Sequence, residues 1–218
     1  MDESILQQFR EHLTAALEIS DRTERMLEVA AVISYAVDDL GLRPVVVGGL
    51  AVAAWVSDAY LTADIDVVMP HLPAADDRLA ALGFVREGRE WVLPGADLAF
   101  EVPGSSLSPV ERFEEIELAS ERLVRVLSPE DLLVYRLHEF VAGGHLESFR
   151  HVVWLLGVPG LDRSRLDERA GAERLATALR EVERIAERHR GSGLPPGGLG
   201  APRPRAWVAE AGARLRRP

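Results

Sequence analysis

The sequence predicts an α/β core with helices before and after it, and three observations carry that expectation. Val45–Val47 is a wholly apolar triplet, as in a strand buried on both faces rather than one half-exposed at an edge. Strand-like and helix-like runs then alternate as far as Leu127. From Ser128 onward the strand signals stop. Ser128-Pro129-Glu130-Asp131 is a helix start: serine caps, proline suits the first helical position, and acids favour the positive end of the helix dipole.

Taken in order, residues 4–40 read as two helices. Ile5, Leu6, Phe9, Leu13 and Leu17 recur at helical spacing. Ser20–Asp21 breaks the pattern and caps the next helix, whose apolar face is Met26, Leu27, Ala30, Ile33, Val37 and Leu40. Gly41 and Pro44 stop it. After the Val45–Val47 strand, Leu50 to about Ala59 is apolar all round, as a buried helix is. Asp64–Met69 is a second strand. Ala74–Leu82 is a surface helix with Asp76, Asp77 and Arg78 outward. Phe84–Glu87, Glu90–Leu93 and Asp97–Val102 are three short strands, the first two joined by Gly88–Arg89. Ser108–Glu117 reads as helix and Leu123–Leu127 as strand. The Ser128 helix runs to about Val141 and ends at Gly143–Gly144, and helices follow near Leu146–Leu156 and Ser164–Arg190. This gives N-terminal helices over 1–40, a core over 41–127, a helical region over 128–190, and a breaker-rich basic tail over 191–218.

Hydrophobic residues make up 47% and charged residues 28% of the 218, the balance of an ordinary globular protein. No run of about 18 apolar residues suggests a membrane span, and the acidic, polar start MDESILQQF does not read as a secretory signal. Cysteine is absent, which excludes disulfides, thiol catalysis and cysteine-bound zinc. A cytoplasmic protein with no membrane partner is the expectation. The formal net charge is −10, yet six arginines face one acid, Glu210, from Arg190 onward. The preceding part is therefore strongly acidic and has no general attraction for nucleic acid; the basic tail reads first as a solvated segment, as basic tails usually are, with contact to RNA or an acidic partner as the alternative.

The chemistry concentrates in VVVGGLAVAAWVSDAYLTADIDVVMP, from Val45 to Pro70. A strand alternates its faces, so Asp64 and Asp66 point one way and Ile65 the other. Adjacent carboxylates repel unless cations or solvent relieve them. Magnesium is suited to that role, because it takes hard oxygen ligands, often one or two carboxylates plus substrate phosphates. Two such ions about 3.5–4 Å apart can clamp the attacking and leaving oxygens of a phosphoryl transfer. Gly48 and Gly49 let the backbone approach a ligand closely, and the helix that follows offers a positive end to phosphate. Each feature also has a plain structural reading, a tight turn and a solvated strand end. The combination in this order is the specific signal.

Glycine pair, helix, then Asp-x-Asp resembles the polymerase-beta-type nucleotidyltransferase superfamily, and more narrowly its small bacterial members, some of them found in toxin–antitoxin or phage-defence pairs. The resemblance spans roughly residues 25–157. It implies a mixed sheet flanked by helices and followed by a helical region, and transfer of a nucleoside monophosphate from a triphosphate (NTP) to an acceptor hydroxyl with Mg2+ or Mn2+. It makes Gly48 and Gly49 the phosphate-binding turn, with Thr62 beside the nucleotide, and Asp64 and Asp66 the metal ligands. The third ligand and base falls on Asp97, where "DLAFEVPG" resembles the family's third-acid strand, with Glu101 as the alternative on the same strand face. Arg136, in "VRVLSPEDLLVYRL", takes a place where relatives often carry a phosphate-contacting lysine. Related proteins often have Lys-Asp-x-x-Asp where this chain has Glu147-Ser148-Phe149-Arg150-His151. That departure keeps a second reading in view, a nucleotide-binding or antitoxin-like module with the same fold and weakened catalysis. A purely structural domain is a third. RNA ends, a protein side chain and a small hydroxylated compound all remain as acceptors, and a toxin–antitoxin partner is compatible with them.

Other motifs carry less. His138, His145 and His151 flank Gly143–Gly144 and share no single face that would bind zinc. Arg184 and His189 fit an Arg-x4-His ribonuclease spacing that an arginine-rich helix produces by chance. Trp55, Trp91 and Trp154 read as core anchors, and Trp207 as a tail residue. No Gly-x-Ser-x-Gly elbow supports a serine nucleophile.

Overall fold

A computed structural model of the chain describes residues 2–56, 62 and 64–190. It divides into two compact units. The described residues of Met1–Ala54 and Leu61–Leu127 form one, and those of Trp55–Tyr60 and Ser128–Pro218 the other. The expected tail beyond Arg190, with Trp207, lies outside the described residues, as does the side chain of His189.

The first unit opens with α1 (Glu3–Leu17) and α2 (Arg22–Ala36), which pack on each other. Asp21 caps α2 as the sequence indicates, accepting from Glu24 N–H, and the Asp2 side chain caps α1 by accepting from Ser4 N–H. Next come β1 (Val45–Val47), α3 (Gly48–Val56, its last two residues counted with the second unit), β2 (Ile65–Val68), α4 (Pro73–Ala81), β3 (Val85–Glu87), β4 (Glu90–Val92), β5 (Ala99–Gly104), β6 (Phe113–Glu117) and β7 (Leu123–Leu127). The strands form one seven-stranded mixed sheet in the order β3-β4-β5-β2-β1-β7-β6. β1 pairs antiparallel with β2 and parallel with β7, and β2 pairs parallel with β5. The apolar triplet of β1 is therefore central, as its composition requires.

One sheet face is the core. Val46, Val67 and Val126 meet across β1, β2 and β7, Ile65 pairs with Phe100, and all are buried. Phe100 carries Phe84 edge-on at 5.2 Å and Trp91 stacked at 6.1 Å. Trp91 is thus a core anchor. α2 packs along β2 and β7. Its buried Glu28 accepts from Ser120 N–H and Oγ and pairs with Arg122, tying the helix to the β6–β7 turn. Arg78 is less outward than its pattern implies: it donates to the Ala36 carbonyl and forms a two-bond pair with Asp39.

Four elements differ from expectation. The second helix ends at Ala36 rather than Leu40, and Asp38–Leu40 is a separate 3-10 turn closed by Gly41. Ser108–Glu117 is not a helix. Ser108-Pro109 imitates a helix start, but the segment makes only a turn, with Ser108 N–H donating to Glu111, and then enters β6. Val110, Phe113 and Ile116 recur at a spacing that also suits a helix, but antiparallel pairing with β7 overrides it; Val110 and Phe113 are exposed, and Arg125 on β7 holds the edge strand through Glu115 and the Phe113 ring. The third short strand starts at Ala99 rather than Asp97. Ser164–Arg190 is two helices, α7 (Arg163–Ala172) and α8 (Ala176–Arg190), separated where Arg174 takes a φ of 60°.

The second unit is helical: α5 (Pro129–Gly143), α6 (Leu146–Leu155), α7 and α8. Ser128 caps α5 as the sequence indicates, accepting from Asp131 N–H, and Gly144 closes it in the left-handed conformation at a φ of 70°. Asp131, fully buried on α5, is the polar centre of the unit. It accepts from Ser128 Oγ at 3.0 Å and from Arg169 Nε at 2.6 Å, and pairs with Arg165. Breaking such a buried cluster leaves uncompensated charge. Asp131→Ala is expected to destabilise the chain by about 3–5 kcal/mol. Urea denaturation checks this, and a loss below about 1 kcal/mol contradicts it.

Candidate functional site

The glycine pair forms the junction between β1 and α3. Gly48 has a φ of +63°, a conformation other residues rarely adopt, and begins the helix. The register of β1 and β2 sets Val47 opposite Asp66. A Cβ on Gly48 would lie 1.9 Å from Asp66 Oδ2 and 2.8 Å from its Cγ. Backbone conformation and carboxylate packing therefore both require glycine here. Gly49 is buried in the first turn of α3. The first N–H groups of a helix have no intrahelical carbonyl partners, so a carboxylate beside a helix start makes a small polar cradle.

The sheet extends this cradle into a row of acids. Asp66 on β2 pairs with Glu101 on β5, Glu101 with Glu90 on β4, and Glu90 with Glu87 on β3. Cross-strand partners share a face, so four acidic side chains line up opposite the Phe100 core face. Glu101 Oε1 is buried and lies 2.6 Å from Arg89 Nη2, an ion-pair contact without hydrogen-bond geometry. Among the described residues, no three acidic or histidine side chains converge closely enough to hold an ion by themselves.

Gly48, Gly49, Asp66 and Glu101 are thus brought together. Asp64 directly precedes β2 and is exposed; its carbonyl accepts from Thr62 Oγ1 at 3.4 Å. Asp97 sits in the bend before β5 with its side chain fully exposed, 4.0 Å from Arg22. The register sets Glu101, not Asp97, opposite Asp66. Arg136 lies on α5 in the second unit, paired with Glu139 at 2.9 Å. Burial opposes the Glu139 charge, but Arg136 and hydrogen bonds from Arg136 and Ser148 hold its carboxyl below the usual range. His151 on α6 is pushed down to about 4, first by burial and then by Arg136, so its imidazole is neutral at pH 7. Arg184 makes an i,i+3 pair with Glu181. Arg89 escaped the sequence reading because its hairpin turn says nothing about which strand lies beside it; the β4–β5 pairing is what delivers it to Glu101.

No protein-family model matches the chain, and no curated protein matches it. Among solved structures it is similar to an antigenic nucleotidyltransferase-like protein from Paracoccidioides brasiliensis, at 18% identity and a TM-score of 0.49 over 71% of this chain and 92% of that one. It is also similar to the antibiotic-resistance factor ANT(2'')-Ia, at 17% identity and a TM-score of 0.43 over 73% and 94% respectively.

The contact between Gly48 and Asp66 is testable by a double-mutant cycle. Gly48→Ala is expected to cost about 1–3 kcal/mol in denaturant unfolding. In an Asp66→Ala background the cost is expected to fall by about 0.5 kcal/mol or more, because the clash is removed while the backbone strain stays. Equal costs in both backgrounds would show that the carboxylate does not press on the turn.

Proposed function

We propose that the chain is a metal-dependent nucleotidyltransferase that moves a nucleoside monophosphate from an NTP to an acceptor hydroxyl. One observation carries the reading: a left-handed Gly48 at the start of α3, closed against the Asp66 carboxylate. Helix-start N–H groups suit phosphate and a carboxylate suits a cation, the two groups a nucleotide with its metal requires, and this proximity supports the reading. The donor set fits Mg2+ or Mn2+. Asp66 and Glu101 carry hard oxygen donors on neighbouring strands, Asp64 precedes Asp66 by two residues just ahead of β2, and such ions are often held by one or two carboxylates with phosphates completing the shell. When bound, divalent cations neutralise phosphate charge and lower the pKa of an attacking hydroxyl.

The residues then divide the work. The N–H groups at the start of α3 orient the distal phosphates. The acceptor oxygen bonds to the α-phosphorus, the bond from that phosphorus to the bridging oxygen breaks, and pyrophosphate leaves. The hydroxyl proton passes to a carboxylate, assigned here to Glu101 because it faces Asp66 whereas Asp97 lies ahead of the strand. Positioning and charge neutralisation supply most of the rate in such transfers. The second reading, a nucleotide-binding or antitoxin-like module without turnover, draws on the lack of three converging acids among the described residues.

Thermal unfolding with Mn2+ and an NTP separates these readings. The pair is expected to raise Tm by about 5–10 °C at about 100 times Kd. Asp64→Ala/Asp66→Ala is expected to abolish the rise. No rise in the unmodified chain refutes nucleotide binding at this cradle. A rise without pyrophosphate release, across RNA, protein and small hydroxylated acceptors, favours the binding module.

A further inference from the structure

We propose that Arg89 is a resident substitute cation for the acidic row, paired with Glu101 in the metal-free protein and displaced from it when a divalent cation enters. The inference rests on the reading of Asp66 and Glu101 as the metal-holding pair. Like charges directly opposite on adjacent strands destabilise a sheet, and here Asp66, Glu101, Glu90 and Glu87 form one uninterrupted row. Arg89 counters that repulsion locally. It stands in the β3–β4 turn beside Gly88, whose φ is +67°, and reaches Glu101 at 2.6 Å.

The pairing is built to yield. The Arg89 side chain is 81% exposed, so a rotamer change releases it into water without disturbing the core. Glu101 is the anchored partner at 25% exposure, and its buried Oε1 receives an ion contact rather than a hydrogen bond. A divalent cation offers that oxygen more charge at shorter range than a guanidinium can. Arg86, on the same hairpin, is tied down differently, pairing with Asp76 at 3.1 Å and lying 5.8 Å over the Trp91 ring. It provides the control for loss of an arginine from β3–β4.

The test is Mn2+ titration of the full chain without nucleotide, read by the electron paramagnetic resonance of unbound Mn2+. Arg89→Ala and Arg89→Gln are both expected to tighten Mn2+ binding by roughly two- to fivefold, the range an exposed ion pair supports. Arg86→Ala is expected to leave it unchanged, and Asp66→Ala to remove it. Unchanged or weaker binding in both Arg89 variants overturns the proposal while leaving the Asp66–Glu101 site standing. An equal gain in Arg86→Ala also overturns it, by showing a general charge effect. Failure of every variant and of the unmodified chain to bind Mn2+ overturns both the proposal and the reading beneath it.

Discussion

At the end of β1 the main chain of Gly48 passes so close to the Asp66 carboxylate that no side chain fits between them. Much else in the first unit follows from holding that contact. β1 must be central and wholly apolar, so that its end is fixed by strands on both sides. α3 must begin at the glycine itself, which leaves its first N–H groups without intrahelical carbonyl partners beside an acid. β2 must pair with β1 in the register that sets Asp66 against Val47, since a slip by one residue would turn Ile65 outward and Asp66 into the core.

The same register extends the acid site sideways. With Asp66 fixed, the parallel pairing of β2 and β5 selects Glu101 as its neighbour, and the β3–β4–β5 hairpins continue the row to Glu90 and Glu87. An acidic row set against an apolar face is an expensive arrangement for structure alone. Arg89 relieves it in part. The row therefore has the character of a surface that expects cations, and this is why the metal-dependent reading is preferred to a scaffold with solvated acids.

Legibility in the sequence followed the range of the interaction. Features set by neighbouring residues were plain: the caps at Asp21 and Ser128, the β1 triplet, the glycine turn and the alternation that places Ile65 inward. Ser108–Glu117 reads as helix because Val110, Phe113 and Ile116 recur every three residues, whereas pairing with β7, invisible in the local pattern, makes its end a strand. The break at Arg174 was hidden in a stretch with helical composition on both sides. From the sequence Asp97 ranks first and Glu101 second because of the resemblance of "DLAFEVPG"; strand parity gives both one face, and which of them lies opposite Asp66 is set by pairing between distant strands. The Arg89 contact and the pairing of Asp131 with Arg165 and Arg169 depend on tertiary placement.

The second unit repeats one of these lessons. A single buried carboxylate, Asp131, gathers Ser128, Arg165 and Arg169, so a residue that reads in sequence as a favourable first-turn acid is also the centre of an ion cluster. For the chain as a whole, the most direct test of the central claim is a crystal structure with Mn2+ and a non-hydrolysable triphosphate, read by anomalous scattering. The account predicts a manganese peak between the Asp66 and Glu101 carboxylates, with the phosphates against Gly48 and Gly49. A triphosphate bound elsewhere, or manganese absent from that pair at saturating concentration, would contradict it.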